Sequence, residues 1–375
     1  MDVLKCTSLI DHLKTVPDPR DPRGVRHQWW VILAVCCAAL LAGQKDYRLT
    51  ARWAKNQRRL LARYLPLRNG WPPSMSTFQR AWAQVDLEAL EAAVGAFIEP
   101  LTEPDDGEWT DLALDGKAVR GASKFGHKAH LLAAVDQASG LVRRQRNVAE
   151  KTNEIPEARA LLAGWDLTGV VVTADPLHCQ RALCQQILHQ GGHYLLQVKE
   201  NQPELHQAIQ EVFAAPRSGP HPLTFWKTST LGKGHGRVEA RLLEATEALN
   251  DYLDWPGPGQ VIHRVCSRRI HGQDTKEDHY WITSLKHAQA SPAELEQRCR
   301  GHWMIENRPH YIRDVTFGED ASTIRSGHAP QARAALLNMV MALIVSRGYR
   351  YMPDALCDYQ CDPARALQHM GCRRL

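Results

Sequence analysis

Several features that mark other protein classes are missing from this 375-residue sequence. It contains no internal repeat and no low-complexity tract, which excludes a repeat array and a largely disordered chain. Its apolar run WWVILAVCCAALLAG, beginning at Trp29, is too short to span a bilayer and lacks the flanks of a signal peptide. We therefore expect this run to be a buried helix, and the protein to be cytoplasmic, without a leader or a membrane contact.

The ten cysteines form no disulfide framework. Cys36 and Cys37 fall inside the apolar run, and Cys179 and Cys184 flank a predicted helix, which indicates reduced thiols. A further group lies near the C-terminus: Cys357, Cys361, His369 and Cys372. Because their spacing matches no strong zinc-ligand pattern, we favour a loose tail with packed cysteines over a zinc site.

Acidic residues are scarce at the N-terminal end. Residues 1–70 contain thirteen Lys or Arg against five Asp and no Glu, a net charge of +8. The whole chain carries +5, so the remainder carries about −3. A basic end on a near-neutral body favours a polyanionic partner, since phosphate contacts supply most sequence-independent affinity for DNA. The alternative is a solvated helical face.

The first hundred residues have a helical pattern. Pro17–Gly24 is a turn-rich approach to the apolar helix, and the basic stretch 51–65 is amphipathic. Ser76 with Gln79 resembles a capping box, and Asp86 is placed to cap the next helix. Two short helices after a basic helix predict either a helix-turn-helix reader of DNA or an all-helical packing module.

From Trp109 the hydrophobic period changes to that of strands. The predicted order is three strands, a helix, a strand, a helix and a strand, in DLALDGKAV, HLLAAVDQ, GLVRRQRNV, IPEARALLAG, GVVVTAD, RALCQQILHQ and HYLLQVK. The β-branched run in GVVVTAD is typical of a central strand that is buried on both faces. Parallel neighbours need crossover helices, so this order predicts a mixed α/β core.

Residues 203–285 again have a β-like pattern, and residues 233–236 form a predicted hairpin tip. We interpret this block as an insertion in the α/β core. A helix then follows, with Ser291 as its N-cap and Pro292 at its first position, and it is expected to continue through Glu306. The segment PQARAALLNMVMALIVSRGYR is a closing, largely buried helix.

Three widely spaced acidic residues form the candidate site. Asp115 and Asp175 lie at the ends of β-like runs, and Glu306 lies on the predicted helix. Pro176 keeps Asp175 extended and allows a helical turn to start directly after it. Carboxylates at the ends of adjacent strands converge where sites form in open α/β sheets. Hard divalent cations take carboxylate oxygens, so the set predicts two-metal phosphoryl-transfer chemistry on nucleic-acid backbones.

Helical spacing places Glu306 on one face with three other residues: Leu295, Cys299 and Trp303. A carboxylate on a packed face is costly without a partner, and a metal ion would be one. Each acid also has an ordinary interpretation, as a strand cap, a helix cap or a helix-end residue. Rival acids are Asp111, Asp136 and Glu154, of which Asp136 begins a hairpin turn that explains it without catalysis.

Conspicuous motifs occur in a characteristic order: LDGKAVRGA, EKTNEIPEARALL, ADPLHCQ, YLLQVKENQPEL, GHGRVEAR, HYWITSL and RGHWMIEN followed by DVTFGEDASTIR. Through them the chain resembles bacterial insertion-sequence transposases of the DDE superfamily, in the ISAs-type group that includes the H-repeat-associated proteins. The resemblance runs from about Pro17 to about Arg347. It implies an α/β fold with a ribonuclease-H-like mixed sheet, a β-rich insertion and a helical N-terminal domain.

The resemblance implies that Asp115, Asp175 and Glu306 are metal-binding carboxylates holding two Mg²⁺ or Mn²⁺ ions. The implied reaction is attack of activated water on a phosphodiester at the element's end, which frees a 3′-hydroxyl that then attacks target DNA. The implied partners are the element ends and target DNA, bound by a homodimer on the bacterial nucleoid.

Other residues near the motifs are candidate DNA contacts: Lys117, Arg120, Lys199, Arg300 and His302. The four Lys and Arg residues could bind phosphates or be ordinary surface charges. Within the family pattern His302 could contact the DNA backbone, whereas Trp303 is expected to pack. The predicted domains are a helical, DNA-binding region 1–105, a catalytic core in two parts, 106–202 and 289–350, the insertion 203–288 and a tail 351–375.

Two residues depart from the family pattern. Pro176 stands where a small residue is usual, and the strand-to-helix geometry accepts it. Pro309 stands where an apolar residue is usual, and inside an α-helix it would clash with the Ile305 carbonyl at a cost of about 3 kcal/mol. The helix therefore ends or kinks just past Glu306, or the copy is degraded. The alternatives to an active transposase are an inactive DNA-binding descendant and a nuclease that cuts without joining.

Overall fold

A computed structural model of the chain describes residues 8–23, 25–104, 107–119, 129–148, 153–216, 222–234, 237–270 and 273–375. The chain divides into two compact units. The first comprises Met1–Glu103, Gly116–Asn153 and Glu306–Leu375, and the second comprises Pro104–Asp115 and Glu154–Ile305. Strand β1, Thr110–Val119, contributes to both, because the boundary falls after Asp115.

The first unit begins with helices, as its sequence pattern predicts. Their bounds are α1 Leu9–Thr15, α2 Trp29–Leu41, α3 Tyr47–Asn56, α4 Arg58–Leu61, α5 Met75–Gln84 and α6 Leu87–Ile98. The predicted single amphipathic stretch 51–65 is instead divided between α3 and α4 at Gln57. Asp86 caps α6 as predicted, accepting a hydrogen bond from the Ala89 N–H. The N-cap of α5 is Ser74, not the predicted Ser76.

Two apolar helices form the core of the first unit. Helix α2 is buried along nearly its whole length, which confirms the prediction for the run from Trp29. Helix α11, Ala329–Ser346, is long and apolar enough to cross a membrane, judged by length and composition alone. However, 83% of this 18-residue helix is buried inside the protein. A helix that is apolar on all sides is typical of a core position.

The chain ends in two further helices, α12 Met352–Cys361 and α13 Pro363–His369. The Asp362 side chain caps α13, and the Tyr359 hydroxyl lies 2.9 Å from His369 Nδ1. Buried residues of this segment join the core of the first unit: Met352, Ala355, Tyr359, Ala366, Leu367, Met370 and Cys372. The expectation of a loose tail is therefore wrong, since apolar side chains hold both helices against the core.

The first unit also contains an antiparallel pair of strands, β2 Ala129–Asp136 and β3 Val142–Val148, with β2 next to β1. Asp136 accepts hydrogen bonds from the N–H and hydroxyl of Ser139 in the connecting turn. This confirms that turn formation explains Asp136.

The second unit is built on a mixed sheet whose order is β1-β4-β5-β9-β8-β7-β6. Its strands after β1 are β4 Val170–Ala174, β5 His193–Val198, β6 Trp226–Gly234, β7 Arg237–Thr246, β8 Gln260–Ile270 and β9 Gln273–Thr283. Strands β1, β4 and β5 are parallel neighbours, and β9 begins the antiparallel part. The two strands of the predicted hairpin, β6 and β7, pair as expected, while its tip residues His235 and Gly236 lie outside the described residues.

Four helices accompany this sheet: α7 Glu154–Leu162, α8 Arg181–His189, α9 Pro203–Ala214 and α10 Pro292–His302. The first twelve residues of the predicted β-like insertion are helix α9, because LHQAIQEVF has a helical apolar spacing. Ser291 and Glu294 form a complete capping box at the start of α10. The predicted α/β class is confirmed: the chain has a mixed sheet, a β-rich block within it and a helical N-terminal region.

Candidate active site

Two predicted carboxylates lie at matching positions on neighbouring strands of the second unit. Leu114 of β1 is paired in parallel register with Ala174 of β4. Asp115 and Asp175 are the residues that follow this pair, and Asp115 is half-buried. Hydrogen bonds between the strands therefore fix the backbone positions of both acids. Asp175 directly follows the carboxyl end of β4, where sites form in such sheets. The prediction that Asp115 ends its strand is wrong, because β1 continues to Val119.

The backbone at Asp175 follows the prediction made from Pro176. Asp175 is extended, with φ −70° and ψ 171°, and a short 3₁₀ helix, Pro176–His178, starts directly after it. The side chain is 44% exposed, yet its Oδ1 atom is buried and has no hydrogen-bond donor among the described residues. Burial raises the pKa of Asp175, against the opposing effect of His178.

His178 links Asp175 to a second acid. The imidazole is 1% exposed, and its Nε2 atom lies 3.2 Å from Glu154 Oε2 and 3.9 Å from Asp175 Oδ1. Glu154 is thus a partner of His178 at the first turn of α7, a role that the sequence alone did not distinguish from a rival catalytic acid. His178 itself was missed, although its place three residues after Asp175, in ADPLHCQ, is the signal that could have identified it.

His302, a predicted DNA contact, is buried at the end of α10. It is 9% exposed, and its Nδ1 atom lies 3.2 Å from the Thr173 hydroxyl of β4. The same hydroxyl donates to the Leu112 carbonyl of β1. Burial, and to a lesser extent the neighbouring His178, lower the pKa of His302 to about 4, so the His302 ring is neutral at pH 7. This geometry argues for an anchor of α10 on the sheet and against a phosphate contact.

Two further ion pairs hold α10 against the sheet. Arg298 Nε donates to Asp111 Oδ1 over 2.8 Å, and Arg264 Nε donates to Glu296 Oε2 over 2.6 Å. Asp111 is therefore a structural partner of Arg298 on β1. Charge-assisted bonds of this kind fix orientation as well as distance.

Glu306 belongs to the first unit and differs from its prediction in two ways. Helix α10 ends at His302, so Glu306 does not lie on it, and its side chain is exposed. The proposed apolar face is wrong beyond Cys299: Leu295 and Cys299 are buried, whereas Trp303 is 52% exposed. Glu306 instead begins a π-helical turn, Glu306–His310, that contains Pro309, and a second π turn spans Ile312–Thr316. A π turn is wider than an α turn, and Pro309 is buried within this one.

The candidate phosphate-binding residues are not alike. Lys117 is 7% exposed and its ammonium donates to both carboxylate oxygens of Asp314, at 2.7 and 2.6 Å, within the first unit. Burial raises the pKa of Asp314 although Lys117 acts in the opposite direction. A phosphate could reach Lys117 only by displacing this carboxylate. Lys199 and Arg300 are exposed, and Arg120 lies outside the described residues.

The segment after Glu306 is held by a buried cluster that sequence reasoning missed. Arg313 is 1% exposed and donates to both oxygens of Glu319, the shortest bond being 2.8 Å, and to the Gln145 side chain of β3 at 3.0 Å. Arg308 donates to the Ala138 carbonyl. These contacts fasten the π-helical segment to the strands of the first unit.

Hard divalent cations bind oxygen ligands, carboxylates in particular. Among the residues that the structure describes, no three His, Cys, Asp or Glu side chains are grouped to hold a metal ion, and this includes the cysteines of the tail. The nine cysteines in the described ranges are free thiols. The buried, unpaired Oδ1 atom of Asp175 nevertheless has the chemistry that a hard cation needs.

Comparisons with known proteins were consistent over nearly the whole chain. The protein-family model described as DDE_Tnp_1-associated matches residues 10–98, and the family model described as Transposase DDE domain matches residues 107–343. "Putative transposase YncI" of Escherichia coli O157:H7 is 29% identical over 348 residues, covering 90% of this chain and 87% of that protein. "H repeat-associated putative transposase YhhI" of Escherichia coli strain K12 is 26% identical, covering 92% of each.

Two other similarities were found. An "Uncharacterized protein in dhlA 3′region" of Xanthobacter autotrophicus is 34% identical over 72% of this chain and 92% of its own length. The cryo-EM structure of a piggyBac transposase synaptic complex with hairpin DNA superimposes with a TM-score of 0.47 and 11% identity. That match covers 98% of this chain and 81% of the other.

Proposed function

The chain belongs to the transposase DDE domain family, and from that premise we propose that it cuts DNA at insertion-sequence ends and joins them to target DNA. The observation that carries the proposal is that Asp115 and Asp175 directly follow the registered pair Leu114 and Ala174 of adjacent parallel strands, with one Asp175 oxygen buried and without a hydrogen-bond donor among the described residues. Family membership supports a DNA-cleaving enzyme. The geometry of the two acids supports the particular residues.

In this proposal Asp115, Asp175 and Glu306 hold two divalent ions, Mg²⁺ or Mn²⁺. When bound, such ions stabilise the attacking and leaving oxygens of an in-line displacement at phosphorus. In the first step a water oxygen bonds to phosphorus and the P–O3′ bond breaks, leaving a 5′-phosphate and a free 3′-hydroxyl. In the second step that hydroxyl bonds to a target phosphorus and displaces a target 3′-hydroxyl.

The chain's own residues have supporting roles in this reaction. Asp115 and Asp175 provide negative charge at fixed backbone positions, and His178, which is held by Glu154, lies 3.9 Å from the buried Asp175 Oδ1. His302 and Arg298 anchor α10, the helix that precedes Glu306 along the chain. Residues that contact metal-binding side chains from outside the metal site restrict the rotamers of those side chains.

DNA is the proposed partner, as element ends and as target. Of the residues predicted to contact phosphates, Lys199 and Arg300 are exposed and fit that role best, whereas Lys117 is paired with Asp314. We propose a homodimer on DNA, since two ends must be processed together, and a cytoplasmic, nucleoid-associated location. The boundaries predicted for the domains, with residues 1–105 as a DNA-binding region, stay part of the proposal.

One observation favours a second candidate, a DNA-binding descendant that has lost catalysis. Pro309 lies in the turn that begins at Glu306, and a proline cannot donate a backbone hydrogen bond there. A shifted Glu306 carboxylate would leave the metal site incomplete while DNA binding persists. An active transposase and an inactive descendant should therefore both bind DNA, but only the active transposase should cleave it.

The test is cleavage of a supercoiled plasmid that carries the inverted repeats flanking the gene, with Mg²⁺, Mn²⁺ or a chelator. Wild type is compared with Asp115→Asn and Glu306→Gln, and with matched surface variants Asp251→Asn and Glu204→Gln, whose side chains are exposed. We expect metal-dependent cuts at the ends for wild type and both controls. Both site variants should bind the ends normally and lose cleavage.

The outcomes separate the candidates. Cleavage by Asp115→Asn at the wild-type rate would exclude the carboxylate assignment. Binding without cleavage by wild type under either metal would favour the inactive descendant. Cleavage without any joined product in a target-plasmid assay would favour a nuclease that does not transfer strands.

A further inference from the structure

All the Asp, Glu, Lys and Arg positions between the N-cap of α3 and the N-cap of α6 are Lys or Arg. Residues 47–85 include eight Lys or Arg and neither Asp nor Glu. Asp46 and Asp86, which border this segment, are each engaged as helix caps. An acid-free surface of this length carries a positive potential that no neighbouring side chain within the segment neutralises.

Helix α3 presents three of these cations on one side. Arg48, Arg52 and Lys55 are separated by four and three residues, the spacing of a single helical face, and all three are exposed. The residues on the other side are buried against the core: Thr50, Trp53 and Ala54. The charged face is therefore fixed in orientation by the packing of the opposite face.

Helix α5 presents a different chemistry. Its exposed residues include Ser76, Gln79 and Arg80, whereas Phe78 and Trp82 are buried. Hydroxyl, carboxamide and guanidinium groups are the side chains that hydrogen-bond base edges in the major groove. Helix α5 thus combines a fixed apolar face with a face that can read sequence.

Helices α3 and α5 pack against each other as one body. The Tyr47 and Trp82 rings meet edge to face with 5.3 Å between centroids, and the Trp82 N–H donates to Cys36 Sγ in α2. Between them, Arg58 stacks on Trp71 at 3.7 Å and donates to the Gly70 carbonyl. These contacts hold the linking segment and remove Arg58 from the set of free phosphate contacts.

Helix α6 is unsuited to reading DNA. It contains no Lys or Arg, its first turn carries Glu88, and its side chains Leu90, Val94 and Phe97 are buried in the core of the first unit. The Gln145 side chain donates to Glu91 on the same helix. An acidic helix would be repelled by the phosphate backbone, so of the two short helices only α5 fits a groove.

We propose that α3 and α5 form a bipartite surface for duplex DNA, in which α3 binds the phosphate backbone and α5 reads base edges. The inference rests on the proposed function only for the identity of the polyanion, and it assigns the recognition of the element end to the first unit. Arg48, Arg52 and Lys55 contribute sequence-independent affinity. Gln79 and Arg80 contribute discrimination between the end and other sequences.

The test measures equilibrium binding of the full chain to a duplex of the element end and to a scrambled duplex, across a salt series. Arg48→Gln/Arg52→Gln/Lys55→Gln should weaken binding to both duplexes alike. For this triple variant, the slope of log affinity against log salt concentration should be less steep by about 2 to 3. Each lost phosphate contact means that about 0.9 fewer counterions are released on binding. Gln79→Ala/Arg80→Ala should lower the preference for the end about 10- to 100-fold and change the slope by at most about 1.

A matched control removes three exposed cations elsewhere in the first unit, Arg350→Gln/Arg365→Gln/Arg373→Gln. It should change neither the slope nor the preference. Circular dichroism and thermal melting should show that all variants are folded, since every altered side chain is exposed. An equal loss of affinity in the control and the α3 variant would overturn the role of α3. Unchanged discrimination in the α5 variant would overturn the role of α5.

The result is independent of catalysis. A wild type that binds the end but never cuts would disprove the proposed reaction and leave the bipartite surface intact if the two variants separate as expected. A wild type that cuts, with both variants binding normally, would overturn the surface alone. Equal affinity for an RNA duplex of the same sequence would overturn the assignment to DNA.

Discussion

Asp115 and Asp175 occupy equivalent positions on neighbouring parallel strands, each directly after the registered pair Leu114 and Ala174. The backbone of both acids is therefore set by the hydrogen bonds of the sheet. A change of either carboxylate to an amide should remove charge without removing backbone support. The role of each carboxylate charge can therefore be tested by Asp→Asn substitutions that leave the fold intact.

The first prediction concerns Asp175 and metal binding, measured without catalysis. Burial raises the pKa of Asp175, so its ionised form destabilises the native protein above that pKa. Asp175→Asn should therefore melt at or slightly above the wild-type temperature in chelator. Mg²⁺ or Mn²⁺ at ten times its dissociation constant should stabilise wild type by about 1.4 kcal/mol, a rise of a few degrees, and the variant by less.

Differential scanning fluorimetry with and without metal gives both quantities. Asp251→Asn, an exposed loop position, serves as the control and should follow wild type. An equal thermal shift in Asp175→Asn and wild type would show that metal binds elsewhere.

Features that depend on short stretches of sequence were predicted well. The existence of β1, the end of β4 before Asp175, the Asp86 cap and the Ser291 capping box all follow from alternation, proline restrictions and capping chemistry. The continuation of β1 past Asp115 to Val119 was not predicted. These rules act over a few residues, so the sequence contains all the information they need. The α/β order followed from the same patterns.

Features that depend on distant partners were not predicted. Lys117 was predicted to be either a phosphate contact or a surface charge, but the structure places Asp314, 197 residues away, against its ammonium. The same holds for His178 with Glu154 and for Arg313 with Gln145. The end of α10 at His302 was also missed, because apolar spacing continues into Trp303 although the helix does not. Pairing across the chain is set by tertiary packing, which local periodicity does not encode.

The second prediction concerns pH and His302. Its folded-state pKa is about 4, below the unfolded value of 6.5, so the unfolded chain binds more protons between these values. Stability from this group is fully present above pH 6.5 and is lost as pH falls towards 4, by up to about 3 kcal/mol. His302→Asn, which keeps a polar atom near Thr173, should lose less stability between pH 7 and 5. Denaturant melts of both proteins at each pH measure the difference, and parallel losses would contradict the role of His302.

The third prediction concerns the buried pair Arg313–Glu319, whose side chains are 1% and 2% exposed. Arg313→Met or Glu319→Met alone should destabilise the first unit by about 3 to 5 kcal/mol, because each removes one partner of a buried ion pair and leaves the other charge in place. The double variant Arg313→Met/Glu319→Met should recover much of that loss. The exposed pair Lys14–Asp11 is the control, and its removal should cost less than about 1 kcal/mol. Additive losses in the double variant would show that the pair is not coupled.

The last prediction concerns Pro309, the residue that favours an inactive protein over an active transposase. In an α-helix its ring would meet the carbonyl four residues earlier, but here it lies in the wider π turn that starts at Glu306. If that turn accommodates the ring, Pro309→Ala should change single-turnover cleavage by no more than about threefold, less than 1 kcal/mol in the barrier. Its gain in stability should stay well below the roughly 3 kcal/mol that a proline costs inside an α-helix.

Pro292→Ala is the matched control, because Pro292 stands at the first position of α10, where a proline lacks no hydrogen bond that the helix needs. It should leave cleavage unchanged. Activation of a silent wild type by Pro309→Ala, with no response to Pro292→Ala, would show that the proline had displaced Glu306. The fold and the DNA-binding surface would then belong to a protein one substitution away from catalysis.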